Sequence, residues 1–176
     1  MPRVLALALT AILALASFPA RADDTATFMK RFSGAWIGSG QLLVGTETGL
    51  EFACDLNGDP SEAKLTFDMK GTCRMGAMSA PINAKLRYNA DTREFYGDFM
   101  GGAQGAGVDL VGARAGQGFS LRLVRGATQG RLSAQTVGKN EMKVIIYLKD
   151  PKSPAEMPVV AMGFTRREVI TGSIAP

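Results

Sequence analysis

From Trp36 onward the apolar residues of this chain recur at every second position. The clearest run is Leu65, Phe67, Met69, Gly71, Cys73 and Met75, alternating with Lys64, Thr66, Asp68 and Lys70. A period of two sends successive side chains to opposite faces of an extended strand, so one face is buried and the other meets water. The same alternation appears in Leu50, Phe52, Cys54 and Leu56, set between Glu51 and Asp55, and in Ile82, Ala84, Leu86 and Tyr88, set between Asn83, Lys85 and Arg87. Trp36, Gly38, Gly40, Leu42 and Val44 share one face of an opening strand, and Phe95, Gly97 and Phe99 one face of a later one. Turn-forming residues divide these runs. Asn57-Gly58-Asp59-Pro60-Ser61 predicts a turn, and Asn89-Ala90-Asp91-Thr92 a hairpin. Beyond residue 100, Gly-rich connectors set off Val108 to Ala113, Phe119 to Val124, Arg131 to Val137 and Met142 to Leu148. A longer loop, Pro151 to Pro158, precedes the last strand, Val159 to Arg167, and the tail Glu168 to Pro176 shows no pattern.

Ten short strands at regular spacing make an all-β chain, either a meander barrel or a sandwich. Short connectors favour pairing between neighbours in sequence order. Closure removes the unpaired edges that a long meander would leave. The expectation is therefore an up-and-down antiparallel β-barrel of about 8–10 strands, with a short N-terminal helix. That helix is predicted over Asp24 to Arg31, capped by Asp24 or Thr25. Phe28, Met29 and Phe32 supply its apolar face, which either plugs one end of the barrel or simply docks as a lead-in. Gly38, Gly40, Gly97 and Gly112 stand inside strands, where glycine permits the tight coiling of a small barrel.

Residues 1–22 read as a secretory signal. Pro2-Arg3 opens it, Val4 to Leu15 is an uncharged apolar run, and Ala20-Arg21-Ala22 fits a small-x-small cleavage site. The run is too short to span a bilayer core of ~30 Å, and no transmembrane segment is expected elsewhere. The expected mature chain is one domain, residues 23–176, placed in the periplasm or secreted by a bacterium. Losing Arg3 and Arg21 lowers the formal charge from +4 to +2. The remaining Lys and Arg are scattered among Asp and Glu, which does not make the concentrated basic stripe of a nucleic-acid partner.

Cys54 and Cys73 are the only cysteines. In an oxidising compartment such a pair is expected to form a disulfide, worth about 3 kcal/mol on a loop-entropy argument. One conflict attends that expectation. A hairpin turning at Gly58 to Ser61 would set Cys54 opposite Leu65, beyond disulfide reach of Cys73.

The chain has no His. That removes the Ser-His-Asp and Cys-His arrangements and the common metal clusters. Neither Gly105-Ala106-Gly107 nor Gly116-Gln117-Gly118 completes a dinucleotide fingerprint, since Leu110 and Leu121 stand at the third glycine position, and no phosphate-loop string occurs. Paired carboxylates for acid–base work remain possible, Asp98 with Asp109 for example, but both lie on polar strand faces or near turns and read as solvated. The methionines read as core filler. No enzymatic activity and no cofactor are expected.

The string Phe32-x-Gly34-x-Trp36-x-Gly38-x-Gly40 resembles the opening of calycin-superfamily barrels. Lipocalins share its Gly-x-Trp, and nitrobindin-like proteins share the spaced glycines. The resemblance implies that an arginine near the end of the last strand, Arg166 or Arg167, packs across Trp36 and latches the first strand to the last. A cation over an indole is worth about 0.5–2 kcal/mol. Nitrobindin-like proteins bind haem through a His, so that function does not carry over. A looser resemblance links the early Trp and the Cys pair to small bacterial inhibitors of secreted metalloproteases, which act through an extended N-terminal arm. Asp23 to Phe28 is short for such an arm.

The resulting expectation is an exported, non-enzymatic barrel holding a small apolar ligand, lined by Phe52, Leu65, Phe67, Phe95, Phe99, Phe119 and Leu121. The alternative is that inward aromatics fill the barrel. The protein would then be a structural or partner-binding envelope protein, such as a protease inhibitor.

Overall fold

The computed structural model describes residues 20–101, 107–150 and 155–167. Most of the predicted signal and the tail after Arg167 therefore lie outside the described residues. One helix, α1 (Ala20–Lys30), leads into ten strands: β1 (Gly34–Leu42), β2 (Glu51–Ser61), β3 (Thr66–Met75), β4 (Met78–Asn89), β5 (Glu94–Gly101), β6 (Val108–Ala115), β7 (Gly118–Arg125), β8 (Thr128–Val137), β9 (Glu141–Lys149) and β10 (Glu156–Arg166). Each strand pairs with the next, antiparallel, and β1 pairs with β10 to close the barrel. The ladder β1–β10 runs from Trp36 opposite Arg166 to Leu42 opposite Val160.

Helix α1 begins earlier than predicted, so Asp24 lies inside it rather than at its cap. The Asp24 carboxylate instead takes a 2.8 Å ion pair with Arg114 of β6. The helix ends in tight turns. The amides of Arg31, Phe32 and Ser33 donate to the carbonyls three residues back, at 3.2, 3.0 and 3.1 Å, which satisfies acceptors that a helix end leaves open. Gly34 then turns the chain into β1 at φ +86°, a conformation that a side chain strains against. Since Asp23 to Phe28 is helical, it is not the extended arm that the inhibitor resemblance requires.

The turn expected at residues 57–61 does not form there. Asn57 to Ser61 continue β2, and the chain turns over residues 62–65. Local turn chemistry loses to ladders on both sides: β1 pairs β2 as far as Gly58, and β3 pairs it as far as Ser61. Pro60 lies beyond Gly58, where β2 no longer has β1 beside it, and an edge tolerates a missing N–H. The longer strand resolves the cysteine conflict. Cys54 stands directly opposite Cys73, and the two are bonded with Cα atoms 4.0 Å apart. At the other end of the pair β1 stops at Leu42, so Val44 is an exposed loop residue rather than part of the strand face. The hairpin at residues 89–93 forms as expected, with Asn89 Oδ1 accepting from the amides of Asp91 and Thr92 at 2.9 and 3.3 Å.

Helix and barrel meet at Gly58. A Cβ there would sit 1.9 Å from the Phe32 carbonyl oxygen, so only glycine lets the end of α1 seat on the β2 backbone. Gly58→Ala is expected to cost about 1–3 kcal/mol by overpacking. Chemical denaturation measures it, and an unchanged midpoint would show that the helix seat is soft.

Candidate functional site

The inward faces divide the barrel into two halves. At the end where β1 begins and β10 finishes, α1 inserts Phe28 and Met29 and the turn after it inserts Phe32, all buried. The rings of Phe28 and Phe32 meet those of three strand residues. Phe119 lies 4.9 Å from Phe28, 4.7 Å from Phe32 and 4.9 Å from Phe95, and Phe67 lies 6.0 Å from Phe32. These tilted and edge-on contacts are the preferred geometries of aromatic pairs. Trp36 is buried in the same end, and its Nε1 donates to the Phe32 carbonyl at 3.0 Å.

Arg166 seals that end from outside. Its guanidinium carbon lies 4.2 Å from the Trp36 ring centre. Its nitrogens donate to the carbonyls of Ser33, Arg31 and Lys139, the last two at 2.7 and 3.0 Å. Burial lowers its pKa from the ordinary arginine value, and the carbonyls and the indole face replace the lost water. Arg167 points elsewhere and pairs with Asp55 at 2.7 Å.

The other half is not filled. A cavity of about 250 Å³ lies between the phenylalanine layer and the opposite mouth. Of the residues expected to line it, Phe52, Phe67, Phe99, Phe119 and Leu121 do. Leu65 and Phe95 do not. Leu65 falls in the turn after β2 at φ 48°, where its carbonyl accepts from the Tyr88 amide at 2.9 Å. Phe95 is buried beneath the floor, packed on Phe119 and on Tyr88 at 5.0 Å. The sequence reading missed much of the wall from β9 and β10, namely Met142, Val144, Ile146, Val160, Met162 and Phe164. Met142 to Leu148 is apolar on both faces, which hides its period, but Lys143 marks the outward parity and was the available signal. The disulfide belongs to the wall as well, since Cys73 lines the cavity and Cys54 is buried beside it.

No lining side chain carries a charge, a hydroxyl or an amide. A polar group brought into this space without its own partner would cost roughly 2–7 kcal/mol. The wall therefore accepts hydrocarbon and rejects buried hydrogen-bonding groups. Charged and polar side chains lie outside this cavity. Asp98 and Asp109 stand opposite one another across β5 and β6, but on the outer face, and Lys85 flanks Asp98 on its other side. Around the mouth, Val44, Leu50, Met78, Met100 and Met157 are exposed. Among the described residues, no helix is long and apolar enough to cross a membrane.

No protein-family model matches the chain, and no curated protein matches it. Solved structures do match. The S-type phycobiliprotein lyase CPES from Guillardia theta aligns at a TM-score of 0.56 and 11% identity, over 85% of this chain and 99% of that one. Rv2717c from M. tuberculosis aligns at a TM-score of 0.60 and 12% identity, over 82% and 98%. At such identities the likeness carries the fold alone, a closed antiparallel β-barrel. It also corrects one expectation. The lack of His-based constellations points to a non-enzymatic chain, yet a protein with this barrel is a lyase by name. The step from missing side-chain motifs to no catalysis fails because holding and orienting a bound molecule can itself lower a barrier.

Proposed function

We propose that this chain is an exported barrel, residues 23–176 after loss of residues 1–22, that binds a small apolar ligand in its open half. The observation that carries the reading is the cavity of about 250 Å³ whose lining has no polar side chain. A smaller apolar cavity, about 150 Å³, stays dry and takes up benzene. Burial of hydrocarbon in such a space is favourable by about 0.8 kcal/mol per methylene. Phe52, Phe67, Phe99, Phe119 and Leu121 supply aromatic and aliphatic contact, and Cys54–Cys73 holds the wall that Cys73 contributes. The disulfide supports an oxidising compartment, the periplasm or the exterior. One barrel of this fold is named a phycobiliprotein lyase, so a molecule held here is either carried or acted upon.

Protein purified from its own source is expected to carry a non-covalent apolar mass in native mass spectrometry, and the emptied protein to take up a hydrophobic fluorescent probe. Ala84 lines the cavity, and Ala84→Phe should occupy the space and weaken probe binding by about tenfold or more, about 1.4 kcal/mol. Apo protein alone, with no probe uptake, would remove the reading.

A further inference from the structure

We infer that the phenylalanine layer between the two halves of the barrel is a length gauge, and that the ligand is a single-chain amphiphile inserted tail first. The inference rests on the apolar-ligand reading above and deepens it. Three features of the cavity carry it. The wall offers no hydrogen-bonding side chain, so the part of the ligand inside is hydrocarbon. The volume of about 250 Å³ exceeds the ~150 Å³ that houses one benzene ring without approaching the upper range, about 1,000 Å³, of pockets for bulky ligands. That space suits one chain and not several. Exposed charges stand near the mouth, Glu51 on β2 and Arg74 on β3 among them, where a polar head would remain in water.

The floor gives the space a definite end. Phe32, Phe67 and Phe119 face the cavity, and Phe28 and Phe95 lie behind them, each in ring contact with Phe119. Phe119 is thus the one residue that both lines the cavity and touches the whole second layer. Phe32 is delivered by the turn that follows α1 rather than by a strand, so the seating of the helix end sets where the chain must stop. Each methylene added above the floor should tighten binding about fourfold, and a methylene beyond it should add nothing or weaken binding. Removing the Phe119 ring opens the space in front of Phe28 and Phe95 and lets a longer tail descend. Enlarging Leu121, which lies on the same face of β7 one step nearer the mouth, raises the floor.

The test is a titration of a homologous series of straight-chain primary alcohols, differing by one methylene, against the delipidated full-length mature protein. Displacement of a fluorescent probe reports affinity. The wild type is expected to show a break in the affinity–length plot. Phe119→Ala should move the break to longer chains, Leu121→Phe to shorter ones, and Phe119→Leu should leave it near the wild-type length. Circular dichroism establishes that each variant is folded, and Leu121→Phe keeps the test open if Phe119→Ala does not fold. Binding with no break, or a break that stays put in folded Phe119→Ala and Leu121→Phe, overturns the gauge while leaving an apolar site. If no alcohol binds the folded wild type and no probe enters, the apolar-ligand reading itself falls, and the gauge with it.

Discussion

Trp36→Ala is expected to destabilise the barrel by about 3–5 kcal/mol, the usual cost of truncating a buried aromatic to alanine. Trp36 has no exposed surface. It stands on β1 between Leu56 of β2 and Arg166 of β10, so the ring sits across the seam that closes the sheet. Truncation removes three things together. The packed indole goes, and the cavity left behind cannot collapse far, because α1 lies on one side and the strands on the other. The Phe32 carbonyl loses its 3.0 Å donor, and a buried acceptor left without a partner costs about 1–3 kcal/mol. The guanidinium of Arg166 loses the face that it lies on at 4.2 Å. Trp36→Phe separates these contributions, since it keeps a ring under the cation but no N–H, and should cost about half as much. Urea unfolding followed by far-ultraviolet circular dichroism is the suitable measurement, because Trp36 is the only tryptophan and its fluorescence leaves with it. A loss below about 1 kcal/mol would mean that the seam is held by the backbone ladder and not by this contact.

Removal of the disulfide ranks second. Cys54 and Cys73 are 19 residues apart in sequence, and cross-linking a loop of that size restricts the unfolded chain by about 3 kcal/mol. The Cys54→Ala, Cys73→Ala double variant is expected to lose about that much, which in a chain of this size lowers the melting temperature by about 6–12 °C. Alanine leaves no polar group in the wall, so the loss reports the cross-link rather than a buried thiol. The β2–β3 ladder continues on both sides of the bridge, from Ala53 opposite Arg74 to Ser61 opposite Thr66. The variant should therefore keep its fold and still take up the hydrophobic probe well below its melting temperature. Adding reductant to the wild type should reproduce the stability loss. A wild type whose unfolding midpoint is indifferent to reductant would place the bridge outside the stabilising contacts.

Much of this architecture was legible in the residues, for a local reason. Alternation at every second position is a property of each strand alone, and ten such runs joined by short connectors leave little besides a closed meander. The helix was visible in Phe28, Met29 and Phe32. The errors fell where a local preference met a non-local ladder. Asn57 to Ser61 is turn-like in isolation, yet β1 and β3 hold it extended, and that extension is what brings Cys54 opposite Cys73. Alternation puts Leu65 and Phe95 on the inward face but gives no depth along it, and neither reaches the cavity. The apolar run in β9 concealed its inward residues because nearly all of its positions are hydrophobic.

By itself the sequence determined the class of fold, the order of its strands, the presence of an apolar helix at the N-terminal side and the disposition of charge on the outer surface. All of these follow from nearest-neighbour patterns along the chain. Only the tertiary structure decided that Arg166 and not Arg167 covers Trp36, that α1 and the turn after it pack one half of the barrel, and that the side chains leave a wholly apolar cavity in the other half. Those features depend on how far each side chain reaches once ten strands have closed into a ring, and no short stretch of residues carries that information.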